Sequence, residues 1–221
     1  MSFQRFASRR FVFSILIIAC ILPTAGCIGM VANLLNVVGA GLMPAAFAGL
    51  EEKKVAVVCV SNSELFGPTS TSSDIGLRVS KLLAKKVKKV EVVSQQKVDD
   101  WIDLNGWDMV DFIAIGRGVE ADMVVAIDID AMSLHDGPTM YKGRSIVHIV
   151  VYDMITGEEV FSRSPPEVEF PMTAGVPSTS TSEREFRKLF MDNLAGRIAR
   201  HFYAFDINED VAGDVETLSR L

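Results

Sequence analysis

The 221-residue sequence predicts an α/β (α+β) domain: a mixed sheet of about five strands in the order βαβααβββα, packed by helices and preceded by a signal-type segment. Three observations carry that expectation. Short β-branched apolar runs ("KKVAVVCV", "VEVVS", "ADMVVAIDIDAMSL") recur along the chain. Near the end, Phe186, Phe190, Leu194, Ile198 and Phe202 repeat at helical spacing. Between them, "YDMITGEE" puts turn residues between two strand-like runs.

Each element follows from its own residues. "KKVAVVCV" (53–60) reads as a buried strand. A polar loop, 61–73, leads to a helix from near Asp74, with Ile75, Val79, Leu82, Leu83 and Val87 on one face and basic residues on the other face or in its last turn. "VEVVS" (90–94) is a second strand. "KVDDWIDLNGW" and "DMVDFIAIGRG" predict two short helices, the second capped by Asp108 and ended near Gly116 or Gly118. Residues 121–134 are a third strand, and 143–164 a hairpin turning at Asp153–Glu158 with Gly157 supplying the permissive backbone. Ser182 with Glu185 makes a capping box for a last helix of ~20 residues.

The amino terminus has a different logic. Arg5, Arg9 and Arg10 precede the uncharged run Phe11–Leu22, whose length suits a signal-peptide core and falls short of a membrane span of ~20 residues. Pro23 ends that helix, and "TAGC" places small residues directly before Cys27. This resembles a bacterial lipobox, with Thr24 where Leu is usual. The resemblance implies cleavage before Cys27 and lipid (palmitate among it) on its thiol. The expected organisation is 1–26 signal peptide, 27–50 lipid-anchored apolar linker, 51–205 α/β domain and 206–221 acidic tail. Residues 28–50 are also uncharged; they read as a membrane-hugging or partner-covered linker, or as a second span in a two-span hairpin without lipid.

Charge excludes one class of partner. Cleavage would remove three of the 22 basic residues and none of the 28 acidic ones, leaving 19 against 28. That balance disfavours nucleic acid, which needs a basic face. Of three cysteines, Cys20 leaves with the signal and Cys27 takes lipid, so Cys59 lacks an intramolecular partner and reads as a small apolar core residue.

Motifs for chemistry are sparse. "GRGVEA" (116–121) imitates a dinucleotide-binding turn, but helix precedes it and strand follows, the reverse of the order pyrophosphate binding needs. The 61–73 loop, with Ser61, Asn62 and Ser63 leaving the first strand, reads as solvated or as a ligand or partner contact. Asp128 and Asp130, two apart on a strand and preceded by Asp122, are weak metal or acid–base candidates beside a solvated strand-end reading. His148 reads as a half-buried sheet residue, with His135 and His201 isolated. The tail 206–217 half-matches a calcium loop, but Val211 and Thr217 replace its Gly and bidentate Glu. No G-x-S-x-G or H-E-x-x-H occurs. The residues predict no catalytic site, cofactor or assigned metal.

"KKVAVV", "VEVVSQQKVDDWI", "AIGRGVEADMVVAIDI" and "YKGRSIVHIVVYDMITGEEVF" together resemble envelope α/β domains: the curli-secretion-channel lipoproteins, the TolB amino-terminal domain and the lipoprotein activators of cell-wall synthases. The shared signals are "G-x-x-A-D" before a strand and the "Y-D-x-x-T-G-E" hairpin, and the similarity covers roughly residues 45–205. It implies a non-catalytic scaffold or accessory subunit of an envelope assembly, transport or secretion complex. The protein would be anchored through Cys27, with envelope proteins or further copies of itself as partners. Ile28, in place of Asp, implies the outer membrane facing the periplasm. The four prolines of "SPPEVEFPMTAGVPSTSTS" argue against the paired long strands a channel subunit would contribute. The alternative is an envelope ligand- or metal-binding protein or enzyme using the 61–73 loop with Asp128 and Asp130.

Overall fold

The structure is a computed structural model that describes residues 42–61, 70–106 and 111–206. The chain divides after Leu42, and the described residues from Met43 to Asp206 belong to one compact unit. The main sheet contains β1 (Lys54–Ser61), β2 (Glu91–Val92), β3 (Met123–His135), β4 (Met140–Asp153) and β5 (Glu159–Arg163), in the spatial order β2-β1-β3-β4-β5. β1 runs parallel to β2 and β3, whereas β3–β4 and β4–β5 are antiparallel. The mixed α/β sheet expected from the periodicities is therefore present.

Among the described residues, four helices cover it: α1 (Ser70–Lys86), α2 (Gln95–Asn105), α3 (Phe112–Gly118) and α4 (Glu183–Ala199). α1 and α4 bury Ile75, Val79, Leu83, Phe186, Phe190 and Leu194 against Val55, Val57, Val125, Ile127 and Ile149. α2 and α3 bury Val98, Ile102 and Ile115 against Ala56, Val58 and Val124 on the other face. Chirality explains the segregation. β2 lies on one side of β1 and β3 on the other, so two right-handed crossovers must pass over opposite faces.

Local details differ from the expected ones in four places. α1 begins at Ser70, four residues before Asp74. The cap of α3 is Asp111, whose carboxylate accepts from the backbone N–H of Ile113 and Ala114; Asp108 lies outside the described residues. The last helix stops at Ala199, and Phe202 reaches the core from a 3-10 turn, Arg200–Phe202. The proline-rich loop contributes β6 (Val168–Phe170) and β7 (Val176–Pro177), both paired with the first half of β4. β5 covers only Ile149–Tyr152 of that 14-residue strand, and β6 and β7 pair Gly143–Ser145 and Met140–Tyr141, covering part of its remaining edge.

The two resembling signals work as turns. Asp122 accepts from the Lys54 N–H at 2.7 Å and donates its own N–H to Lys54 O, fixing β3 on β1 at its first residue. Asp153 accepts from Ile155 and Thr156, while Gly157 (φ 76°) donates back to Asp153 O at 2.7 Å. Among the described residues no helix is long and apolar enough to cross a membrane.

Candidate functional site

Where β1 ends beside the middle of β3, the face covered by α2 and α3 becomes polar. Asp128 stands opposite Val60 on one side and His148 on the other. His148 Nδ1 lies 2.7 Å from Ser164 Oγ, and its Nε2 lies 3.5 Å from Ser162 Oγ. Asp128 is half-buried, and its Oδ1 has no hydrogen-bond partner among the described residues. Burial first, then the nearby Asp130 carboxylate, raises its pKa above the ordinary aspartate range, with His148 pulling the other way. A register shift between Ile129 and Ala131 makes Asp130 the bulged residue, exposed at the strand's side. The group is thus a hard-to-ionise carboxyl with an unclaimed oxygen, flanked by a second carboxylate and an imidazole. No set of three or more His, Cys, Asp or Glu side chains placed to hold a metal occurs among the described residues.

The other expected positions fall as follows. Ser61 closes β1 beside Ile129 and is half-buried; Asn62, Ser63, Cys27 and tail residues 207–217 lie outside the described residues. Cys59 is buried on the opposite face. Its thiol pKa is pushed strongly up by burial and by the Asp128 charge, the reverse of what a nucleophilic cysteine needs. Gly116 and Gly118 of "GRGVEA" end α3, where a Cβ would run into Met154 and Val124 or into the Trp101 indole. Close helix packing accounts for both.

A second site, unannounced by any local motif, opens on the α4 face of the same sheet. A cleft of about 340 Å³ lies between the end of β5, the end of α4 and the segment that enters the domain at Met43. Val147, Val168 and Ile198 line it and are themselves almost fully buried. Arg163 comes from β5, Arg197 from the last turn of α4, and Arg200 and His201 from the 3-10 turn; Glu167 is the one acidic residue in the lining. Arg197 meets neutral partners, Asn193 Oδ1 at 3.1 Å and Met172 Sδ at 3.3 Å. Arg200 lies 5.4 Å from the centroid of the Phe205 ring. Burial, then the Arg163 charge, lowers the pKa of His201 below the ordinary histidine value, so it is neutral at pH 7. Sequence shows Arg197 and Arg200 only as basic residues closing a helix, which the helix dipole favours, and His201 as an isolated histidine. Arg163 joins them through strand pairing 34 residues away, which no periodicity reveals.

No protein-family profile matches the sequence, and no curated protein matches it. Among solved structures, the chain is similar to lipoprotein GNA1162 from Neisseria meningitidis, at 12% identity over 76% of this chain and 99% of that one (TM-score 0.44). It is similar to the PelC dodecamer from Paraburkholderia phytofirmans at 13% identity, over 74% and 95% of the two chains (TM-score 0.43). The LpoB C-terminal domain from Salmonella enterica matches at 17% identity over 63% and 90% (TM-score 0.36).

Proposed function

We propose that the mature protein is a lipoprotein held to a bacterial envelope membrane through Cys27, and that its α/β domain is a non-catalytic scaffold or accessory subunit of an envelope assembly, transport or secretion complex. The observation that carries this reading is the amino-terminal series: three arginines, an uncharged run, and small residues ending in "TAGC". The resemblance of residues 45–205 to envelope α/β domains of the curli-secretion-channel and TolB class supports the accessory role. Ile28 after the cysteine favours the outer membrane, facing the periplasm. One acyl chain holds a protein only marginally, at ~0.8 kcal/mol per buried CH₂, so stable attachment needs several chains or help from residues 28–50.

The test is metabolic labelling with a palmitate analogue, followed by crosslinking in cells and capture from solubilised envelopes. Wild type should incorporate label and bring down a recurrent envelope protein, while Cys27→Ala should accumulate as an unlabelled precursor. If Cys27→Ala matures and fractionates like wild type, the lipid anchor is wrong. Capture of nothing but copies of the chain would replace the accessory subunit by a self-assembling one.

The unclaimed Asp128 oxygen favours a second reading, a ligand or metal held by Asp128, Asp130 and the 61–73 loop. Under that reading Asp128→Asn with Asp130→Asn abolishes function in cells. Under the scaffold reading the double variant still captures the same partner.

A further inference from the structure

We infer that the cleft on the α4 face is a binding site for an anionic phospholipid, one whose head group carries no cation to offset its phosphate, with the phosphate on Arg163 and Arg197 and the apolar stem against Val147, Val168 and Ile198. The chain as a whole is acidic, with a formal net charge of −6, yet three guanidiniums converge here on a concave, mostly apolar surface. Among the described residues neither Arg163 nor Arg197 has an ion-pair partner, and the planar guanidinium fork suits the oxygens of a phosphate. Helix-dipole stabilisation accounts for cations at the end of α4 but not for Arg163, which arrives from a strand. A volume of about 340 Å³ holds a headgroup and the first carbons of a stem rather than a whole lipid. The wall formed by Met43, Pro44 and Ala46 continues the uncharged segment 28–50, which favours a membrane phospholipid over a soluble phosphate ester as the source.

The site does not depend on lipid at Cys27, so Cys27→Ala should keep it even if the anchor is lost. The experiment is native mass spectrometry of the full chain in a non-ionic detergent. Dioleoyl-phosphatidylglycerol, dioleoyl-phosphatidylcholine and inorganic phosphate are titrated separately. The expected result is one phosphatidylglycerol per chain, bound at least tenfold more tightly than phosphatidylcholine or phosphate. Arg163→Gln with Arg197→Gln should lose at least tenfold, and Arg184→Gln, an exposed arginine elsewhere on α4, less than twofold. Arg163→Gln alone, at an exposed strand end, should lose part of the affinity without a fall in melting temperature. Equal binding of the two lipids, or full binding by the double variant, would overturn the site. Inorganic phosphate bound as tightly as the lipid, with the same arginine dependence, would overturn the apolar-stem assignment.

Discussion

Asp128 is the side chain whose environment departs furthest from what its position on a strand suggested. In the folded chain it ionises at higher pH than in the unfolded chain, so over that window the folded state binds more protons. Stability therefore falls as pH rises from the ordinary carboxylate range through the raised value, and stays lower above it. Asp128→Asn should raise the melting temperature at pH 7 and leave it unchanged below about pH 3.5, under the ordinary aspartate value of ~3.9. A melt series across that range checks both the sign and the window. Gly143 is the opposite case, a residue defined by what it lacks. A Cβ there would enter the Phe190 ring, so Gly143→Ala should cost about 1–3 kcal/mol in urea denaturation. The sequence shows that glycine only as the first residue of the hairpin run 143–164; the Phe190 ring packed over it is 47 positions away.

At the scale of elements, α4 was the most legible. Its four-residue apolar interval and the Ser182–Glu185 box are both local, and both are realised: Ser182 Oγ accepts from the Glu185 N–H while Glu185 accepts from the Ser182 N–H. Ser182→Ala should destabilise by about 1 kcal/mol. Phe190→Ala, which empties a fully buried ring position, should cost about 3–5 kcal/mol. Equilibrium unfolding of the two variants gives that ordering directly. α3 was less legible because Asp108 and Asp111 both satisfy the residue preference of a cap, and only the hydrogen bonds to Ile113 and Ala114 select the second. β6 and β7 were not legible at all. Their prolines argue against long paired strands, but Val168–Phe170 is a proline-free triplet between Pro166 and Pro171, enough to pair three residues of β4.

At the scale of the whole molecule, β1 is the centre on which both helical layers close. Cys59 sits within it, 4% exposed, and its thiol is held un-ionised by burial. In a chain with Cys20→Ser and Cys27→Ala, alkylation of Cys59 should therefore require global unfolding. Its rate should track the unfolded fraction through a denaturant series, and labelling without denaturant at the rate of a free thiol would show that the sheet opens locally.

Sequence alone determined the identity and order of the main strands and helices, the hairpin at Asp153–Gly157, and the acidic balance. The proposed anchor at Cys27 also rests wholly on sequence. These properties depend on residues within a few positions of one another, where periodicity, capping and turn preference act. Tertiary structure alone decided the β2-β1-β3-β4-β5 order, the division of helices between faces, the repair of β4's open edge and the meeting of Arg163 with Arg197. Each of these joins residues tens of positions apart. Strand register, crossover handedness and burial select such pairs only when the whole sheet forms, so no short stretch of the chain carries their signal.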